Sequence, residues 1–185
     1  MSRGNTHQRI QDVALELFVA QGYDKTSLRE IAERLGVTKA ALYYHFKTKE
    51  DILLSIFDAA NRPVTELIEW GREQPRTLET KKEILRRYSD VLHRAQPLFR
   101  FMQENQATIR DLSLGDQMKK RMLGLSDLLV EPDAALVDRV RAATSLFTMH
   151  AGTFALRGLE DDPEERREAV LTVAHEMITA AHHGE

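Results

Sequence analysis

Between Thr38 and Lys49 the chain gathers side chains suited to touch a polyanion. Lys39, Tyr43, Tyr44, His45 and Lys49 carry hydrogen-bond donors, while Ala40 and Ala41 keep the start of the stretch small. Lysine, tyrosine and histidine can reach base edges or phosphate oxygens, and alanine offers only apolar contact, such as one to a thymine methyl. Thr38 suits an N-cap, because its hydroxyl can accept from an amide of the first turn. Leu42 and Phe46, four residues apart, share one face and can anchor a short helix on a core. The remaining positions spread over the outer faces, so the helix could enter a major groove. No glutamine or asparagine lies between Thr38 and His45, so the preferred pairing to adenine edges is not available.

The flanking elements can position that helix. Ser27-Leu28-Arg29-Glu30 fits a capping box, and Leu28, Ile31, Ala32 and Leu35 follow as an apolar stripe at helical spacing. Gly36 ends this second helix as a C-terminal glycine does. Helix, short glycine-containing turn and second helix make the helix-turn-helix pattern. Ahead of it, Asn5 or Thr6 can cap a first helix on Ile10, Val13, Ala14, Leu17 and Phe18, closed by Gly22. Behind it, Thr48-Lys49-Glu50-Asp51 makes another capping box that opens a long helix reaching about Gly71. Lys49, in that first turn beside free amides, is placed for a phosphate.

Residues 6–57 resemble the DNA-binding domain of the TetR family of bacterial transcriptional regulators. The resemblance is carried by Ala14 to Phe18, by Gly22-Tyr23-Asp24-Lys25-Thr26-Ser27, by Ile31 to Val37 and above all by Leu42-Tyr43-Tyr44-His45-Phe46-Lys47-Thr48-Lys49. It implies an all-α protein. An N-terminal helix-turn-helix domain of three helices, residues 1–50, is joined by a long fourth helix from about residue 49 to a ligand-binding and dimerisation domain, residues 51–185. It implies contacts to double-stranded DNA from Lys39, Ala40, Tyr43 and His45 at the bases, from Thr26, Ser27, Tyr44 and Lys49 at the phosphates, and from Thr38 at the start of the recognition helix. His45 has a second reading, as the residue that closes the recognition helix, and Tyr44 shares that ambiguity.

Composition agrees with a helical protein. Of the 185 residues 42% are hydrophobic and 30% charged, with only nine glycines and five prolines, and long alternating β-branched runs are absent. The net charge is -3, yet residues 1–50 hold eight Lys or Arg against six Asp or Glu, and residues 51–185 hold eighteen against twenty-three. The basic excess therefore sits with the motif. There is no cysteine, which excludes disulfides and thiolate chemistry and suits a reducing cytoplasm. The polar start has no apolar core of a signal peptide, and no run is long and apolar enough to span a membrane, so a cytoplasmic location is expected.

In the long fourth helix Pro63 predicts a kink or break near Ala59 to Arg62. Either two helices meet there, or the bend transmits a ligand-driven movement. A fifth helix is expected over 78–95, another after Pro97, and a further one over 114–130. The last two are marked by Leu136, Val140, Ala143, Phe147, Ala151 and Phe154, and by Asp162 as cap with Pro163 at the first position. By the resemblance these two pair with a two-fold mate as a four-helix bundle, through Phe147, Ala151, Phe154, Val170, Ala174, Met177 and Ile178. The same faces could serve as core within one chain.

Aromatic and flexible apolar residues of the larger domain, Trp70, Tyr88, Phe99, Met102, Met118, Met122 and Phe147, with His150 as a polar member, are the candidates for an effector pocket. Each could equally be ordinary core. His150, His175, His182 and His183 lack metal-site spacing, so neither a metal nor a cofactor is expected. No nucleophile elbow, phosphate-binding glycine loop or HExxH string is present, which argues against an enzyme. The sequence thus points to a homodimeric repressor on a palindromic operator, released by a small hydrophobic or amphipathic effector. The alternatives are a ligand-dependent activator or a co-repressor-dependent regulator of the same fold, a protein-interaction module, or a helical enzyme acting on a small apolar molecule.

Overall fold

A computed structural model describes the backbone of residues 3–105, 115–155 and 162–182, and their side chains except at 3–5, 115, 116 and 153–155. Among the described residues the chain is helical and no strand occurs. Its elements are α1 (Arg3–Gln21), α2 (Leu28–Leu35), α3 (Lys39–His45), α4 (Lys49–Arg72), α5 (Leu78–Arg94), α6 (Gln96–Glu104), α7 (Gly115–Leu129), α8 (Leu136–Ala155) and α9 (Pro163–His182). They divide into two compact units, Met1–Arg62 with Ala95–Leu114, and Pro63–Arg94 with Gly115–Glu185.

In the first unit local chemistry sets the helix ends. Ser27 Oγ accepts from the Glu30 amide while Glu30 accepts from the Ser27 amide, closing the expected box. Gly36 takes φ 68°, a left-handed backbone that costs glycine little, and its amide reaches back to the end of α2. Thr48 and Asp51 exchange the same reciprocal pair of bonds at 2.9 and 3.0 Å. Gly22, at φ 93°, closes α1, which itself begins upstream of Asn5 and Thr6. Ile10, Ala14, Phe18, Ile31, Leu42, Ile52 and Leu53 are at most 1% exposed and form the core. Each large side chain so buried contributes about 1.5–3 kcal/mol relative to exposure. Helix α6 joins this core: Phe101 lies 5.7 Å from Phe18, ring to ring, and is fully buried.

In the second unit α9 packs along α8 and α5, and α7 packs on α8. Ile84, Leu85, Leu125, Leu129, Leu146, Ala174 and Ile178 are its innermost residues. Glycine brings helices close in two places. A Cβ at Gly152 would stand 2.2 Å from Val170 Cγ2, where the short β-branched side chain leaves no room for it, and one at Gly71 would stand 2.6 Å from Leu128 Cδ1, whose terminal methyl would have to shift. Asp162 caps α9, accepting from the Glu164 and Glu165 amides at 2.8 and 3.3 Å. Helix α4 runs through Pro63 without a break, because the proline removes one bond of a ladder held on both sides by buried Ile56, Phe57, Val64 and Leu67. The boundary between the units falls at Arg62 and Pro63.

Candidate nucleic-acid interface

The recognition surface is built on α3. Thr38 Oγ1 accepts from the Ala41 amide at 3.2 Å and starts the helix. Leu42 is fully buried and Phe46 is 5% exposed, so the short helix is held from one side. The other faces point outward: Thr38, Lys39, Ala40 and Ala41 are exposed, Tyr43 is 36% exposed and Tyr44 65%. Large aromatic side chains left in solvent at adjacent positions are unusual in a core-forming helix, which gives this surface its character. Lys39 Nζ stands 5.5 Å from the centre of the Tyr43 ring, a cation–π contact that holds the ammonium at the outer face.

His45 is half-buried and meets the Tyr44 ring edge-on at 5.4 Å. Behind it His7, on α1, lies 4.4 Å from Phe46, ring to ring. Burial first, and then the neighbouring charge of His45, hold the His7 imidazole below its ordinary range. Lys47, which the sequence reading did not single out, is exposed and donates from Nζ to the Tyr43 carbonyl at 2.9 Å. Its only signal in the sequence was a positive charge just past a helix end, where a cation also meets the negative end of the dipole.

The expected phosphate contacts are placed unequally. Ser27 is exposed at the start of α2, although its hydroxyl already caps that helix. Thr26 is only 2% exposed; its hydroxyl donates to the Gly22 carbonyl at 2.9 Å and accepts from Gln21 at 3.3 Å, so it pins the turn between α1 and α2. Lys49 is half-buried. Its ammonium donates to the Tyr23 carbonyl and sits 4.1 Å over the Tyr23 ring. Burial pulls the Lys49 ammonium down from its ordinary range, against the opposing charges of Asp24 and Glu30.

The effector candidates separate. Tyr88, Met122 and His150 come together in the second unit: Tyr88 Oη lies 2.6 Å from His150 Nε2 and 3.6 Å from Met122 Sδ. Burial raises the Tyr88 hydroxyl and lowers the His150 imidazole from their ordinary values. Trp70 is covered by the Arg87 guanidinium, 3.7 Å from the ring centre, and Met118 is half-buried on α7. Phe99 and Met102 stand on α6 in the other unit, where Met102 packs on the core of the first unit. Met102 is thus a core residue of the DNA-reading end. Phe147 is 69% exposed and lines no interior site. A cleft of the second unit is instead lined by Lys81, Glu131, Asp138 and His182, none of them an effector candidate. Lys81, 3% exposed, is already paired there with Glu131 at 3.0 Å.

The expected dimer face is corrected in part. Ala174 and Ile178 are fully buried inside their own chain, Val170 is packed on Gly152, and Met177 Sδ accepts from Thr148 at 3.6 Å. Ala174 and Ile178 have no surface left for a partner, because α9 turns them onto its own chain, whereas Val170 and Met177 are half-buried. Phe147 and Ala151 are exposed, and the same outer surface carries Leu136 (78% exposed), Val137, Val140 and Val173. Phe154's side chain lies outside the described residues, as does His183. Among the described residues no helix is long and apolar enough to cross a membrane, and no cluster of three or more His, Asp or Glu could hold a metal ion.

Two short helices and the turn between them, packed on a third and presenting one helix surface outward, define a helix-turn-helix protein. Residues 10–56 match the bacterial regulatory proteins of the tetR family. The transcriptional regulator AcrR of Shigella flexneri is 48% identical over 62 residues, which are 34% of this chain and 29% of AcrR. A TetR/AcrR-family regulator from Thermobifida fusca is 26% identical, with a TM-score of 0.65 over 94% of this chain and 97% of that one. A transcriptional regulator from Aquifex aeolicus has a TM-score of 0.75 over 90% of this chain and 96% of that one; at 22% identity the likeness is one of fold. Residues 10–56 carry the DNA-binding part of the tetR family, and the fold of the chain as a whole is like that of TetR/AcrR-family structures. The match spans less than a third of AcrR's length, and the family model matches the helix-turn-helix end of the chain.

Proposed function

We propose that this protein is a homodimeric, effector-responsive repressor of transcription in the cytoplasm, binding a palindromic operator with one α3 from each protomer in successive major grooves. The observation that carries this reading is α3 itself: anchored by buried Leu42 and Phe46, it holds Lys39, Ala40, Tyr43 and Tyr44 outward together. Residues 1–50 act as the DNA-binding domain, residues 51–185 bind the effector and dimerise, and α4 carries residues of both. The exposed apolar surface of α8 and α9 supports a homodimer, since a patch of this kind is an association site in a soluble protein. The effector lowers operator affinity by preferring a form whose two heads no longer match the half-sites, and it can do so only by the difference in its affinity for the two forms.

Selection of bound sequences from a random duplex pool, followed by affinity at two salt concentrations, tests the reading. Enrichment of a palindrome whose binding falls steeply with salt is the expected result. Enrichment of an asymmetric single site, or of nothing, would sink it.

A further inference from the structure

Helix α7 turns one face inward, and one residue on that face does not belong to an apolar stripe. Met118, Met122, Leu125, Leu128 and Leu129 follow the three- and four-residue spacing of a buried helix face, and Leu125, Leu128 and Leu129 are 0%, 8% and 1% exposed. Arg121 falls in the same stripe, three residues after Met118 and four before Leu125. Its Nη2 reaches Gln117 Oε1 only at 3.4 Å. Its Nη1 is closed off from solvent and has no hydrogen-bond partner among the described residues, while the residue as a whole is half-buried.

A guanidinium keeps its charge across the working pH range, so unlike a lysine it cannot relieve burial by losing a proton. A shielded, unpaired N–H on a cation is among the costliest groups to leave inside a protein. It is retained where something anionic completes it, and the planar fork matches a carboxylate. Half-buried residues of the same helix are suited to the rest of such a molecule. Met118 and Met122 offer flexible apolar surface, and Met122 leads to the hydrogen-bonded Tyr88–His150 pair. A neutral apolar molecule would leave Nη1 unpaired, and a cation would add like charge.

We infer that Arg121 is the anchor for the acidic head of the effector, an amphipathic carboxylate whose apolar part lies along Met118 and Met122. This deepens the proposed function and rests on its assignment of an effector to residues 51–185.

The test is a titration of the intact protein without DNA, using octanoate and dodecanoate, each against its own alcohol. Emission of Trp70, the single tryptophan, and the melting temperature are the readouts. At least one of the two acids is expected to bind saturably, and more tightly than its alcohol by about tenfold or more, the weight of one charge-assisted hydrogen bond. Arg121→Met should lose that preference while still taking up the alcohol, and in the ligand-free state should melt no lower than the wild type, since it removes a half-buried cation with one shielded, unpaired nitrogen. Arg121→Lys should keep part of the preference. Equal binding of acid and alcohol by the wild type, binding of neither acid, or an unaltered preference in Arg121→Met would each overturn the proposal. Because no operator is present, these results stand apart from the sequence selection: a recovered palindrome with no carboxylate preference rejects the anchor alone.

Discussion

The two units place their polar groups in opposite ways. At the DNA-reading end the groups that define the helices are partnered within a few residues: Ser27 with Glu30, Thr38 with Ala41, Thr48 with Asp51. In the second unit the decisive pairs join distant parts of the chain: Lys81 with Glu131, Tyr88 with His150, His175 with the Lys82 carbonyl. The first arrangement leaves an outward surface whose side chains are available to a partner. The second consumes polar groups inside, so what the interior can recognise depends on which of them is left incomplete. A surface site and an interior site therefore answer differently to substitution.

Leu42→Ala should have a large effect, destabilising the first unit by about 2–5 kcal/mol, because the fully buried side chain leaves a cavity beneath the recognition helix. Denaturant unfolding followed by circular dichroism reads it. Phe147→Asp should weaken the homodimer by about 2 kcal/mol or more while the protomer stays folded, since this ring is exposed in the single chain. Sedimentation at several concentrations would show it. Ile178→Asp should instead unfold the protomer, and if both variants merely dissociate, the distinction between outer and inner faces of α8 and α9 is lost. Tyr43→Ala should cost operator affinity about 1–3 kcal/mol without changing stability. Lys49→Ala should weaken binding to every duplex alike and flatten its salt dependence, and should also lower stability by about 1 kcal/mol through the lost contacts to Tyr23. A loss of stability with unchanged salt slope would make Lys49 a structural residue only.

The smallest effect concerns pH. Burial holds His150 below the ordinary imidazole value of about 6.5. As pH falls below that value the unfolded chain takes up the proton first. Stability is therefore complete above about pH 6.5 and declines as pH drops toward the folded-state value. His150→Gln should flatten this part of the profile; an unchanged slope would mean that another group, His7 being the next so shifted, sets it.

Much of this was readable in the sequence because it is local. Capping boxes, the left-handed glycine at Gly36 and the Leu42–Phe46 anchor need only residues within a turn of one another, and the recognition helix came out at the expected place. Met102 was misread because an apolar stripe states that a face is buried, not which unit buries it; α6 packs beside α1, far away in sequence. Ala174 and Ile178 failed for the same reason, since α9 has apolar residues on more than one face and only packing on α8 and α5 decides which face is consumed. Thr26, expected at a phosphate, is taken up by the turn at Gly22, a bond that depends on how α1 ends. Arg121 did leave a trace, a charge at an inward position of a helical stripe, although its unpaired nitrogen could be known only from the packing around it.

The Lys49 ammonium bonded to the Tyr23 carbonyl has a mechanical consequence. Lys49 stands at the first turn of α4, and the same unbroken rod continues past Pro63 to Arg72. The far end of that rod belongs to the other unit. The lysine works as a dowel between the rod and the bend that seats α2. Twisting the first turn of α4 about its axis would drag the Tyr23 backbone along or shear the dowel, so the start of α4 and the bend before α2 move as one piece.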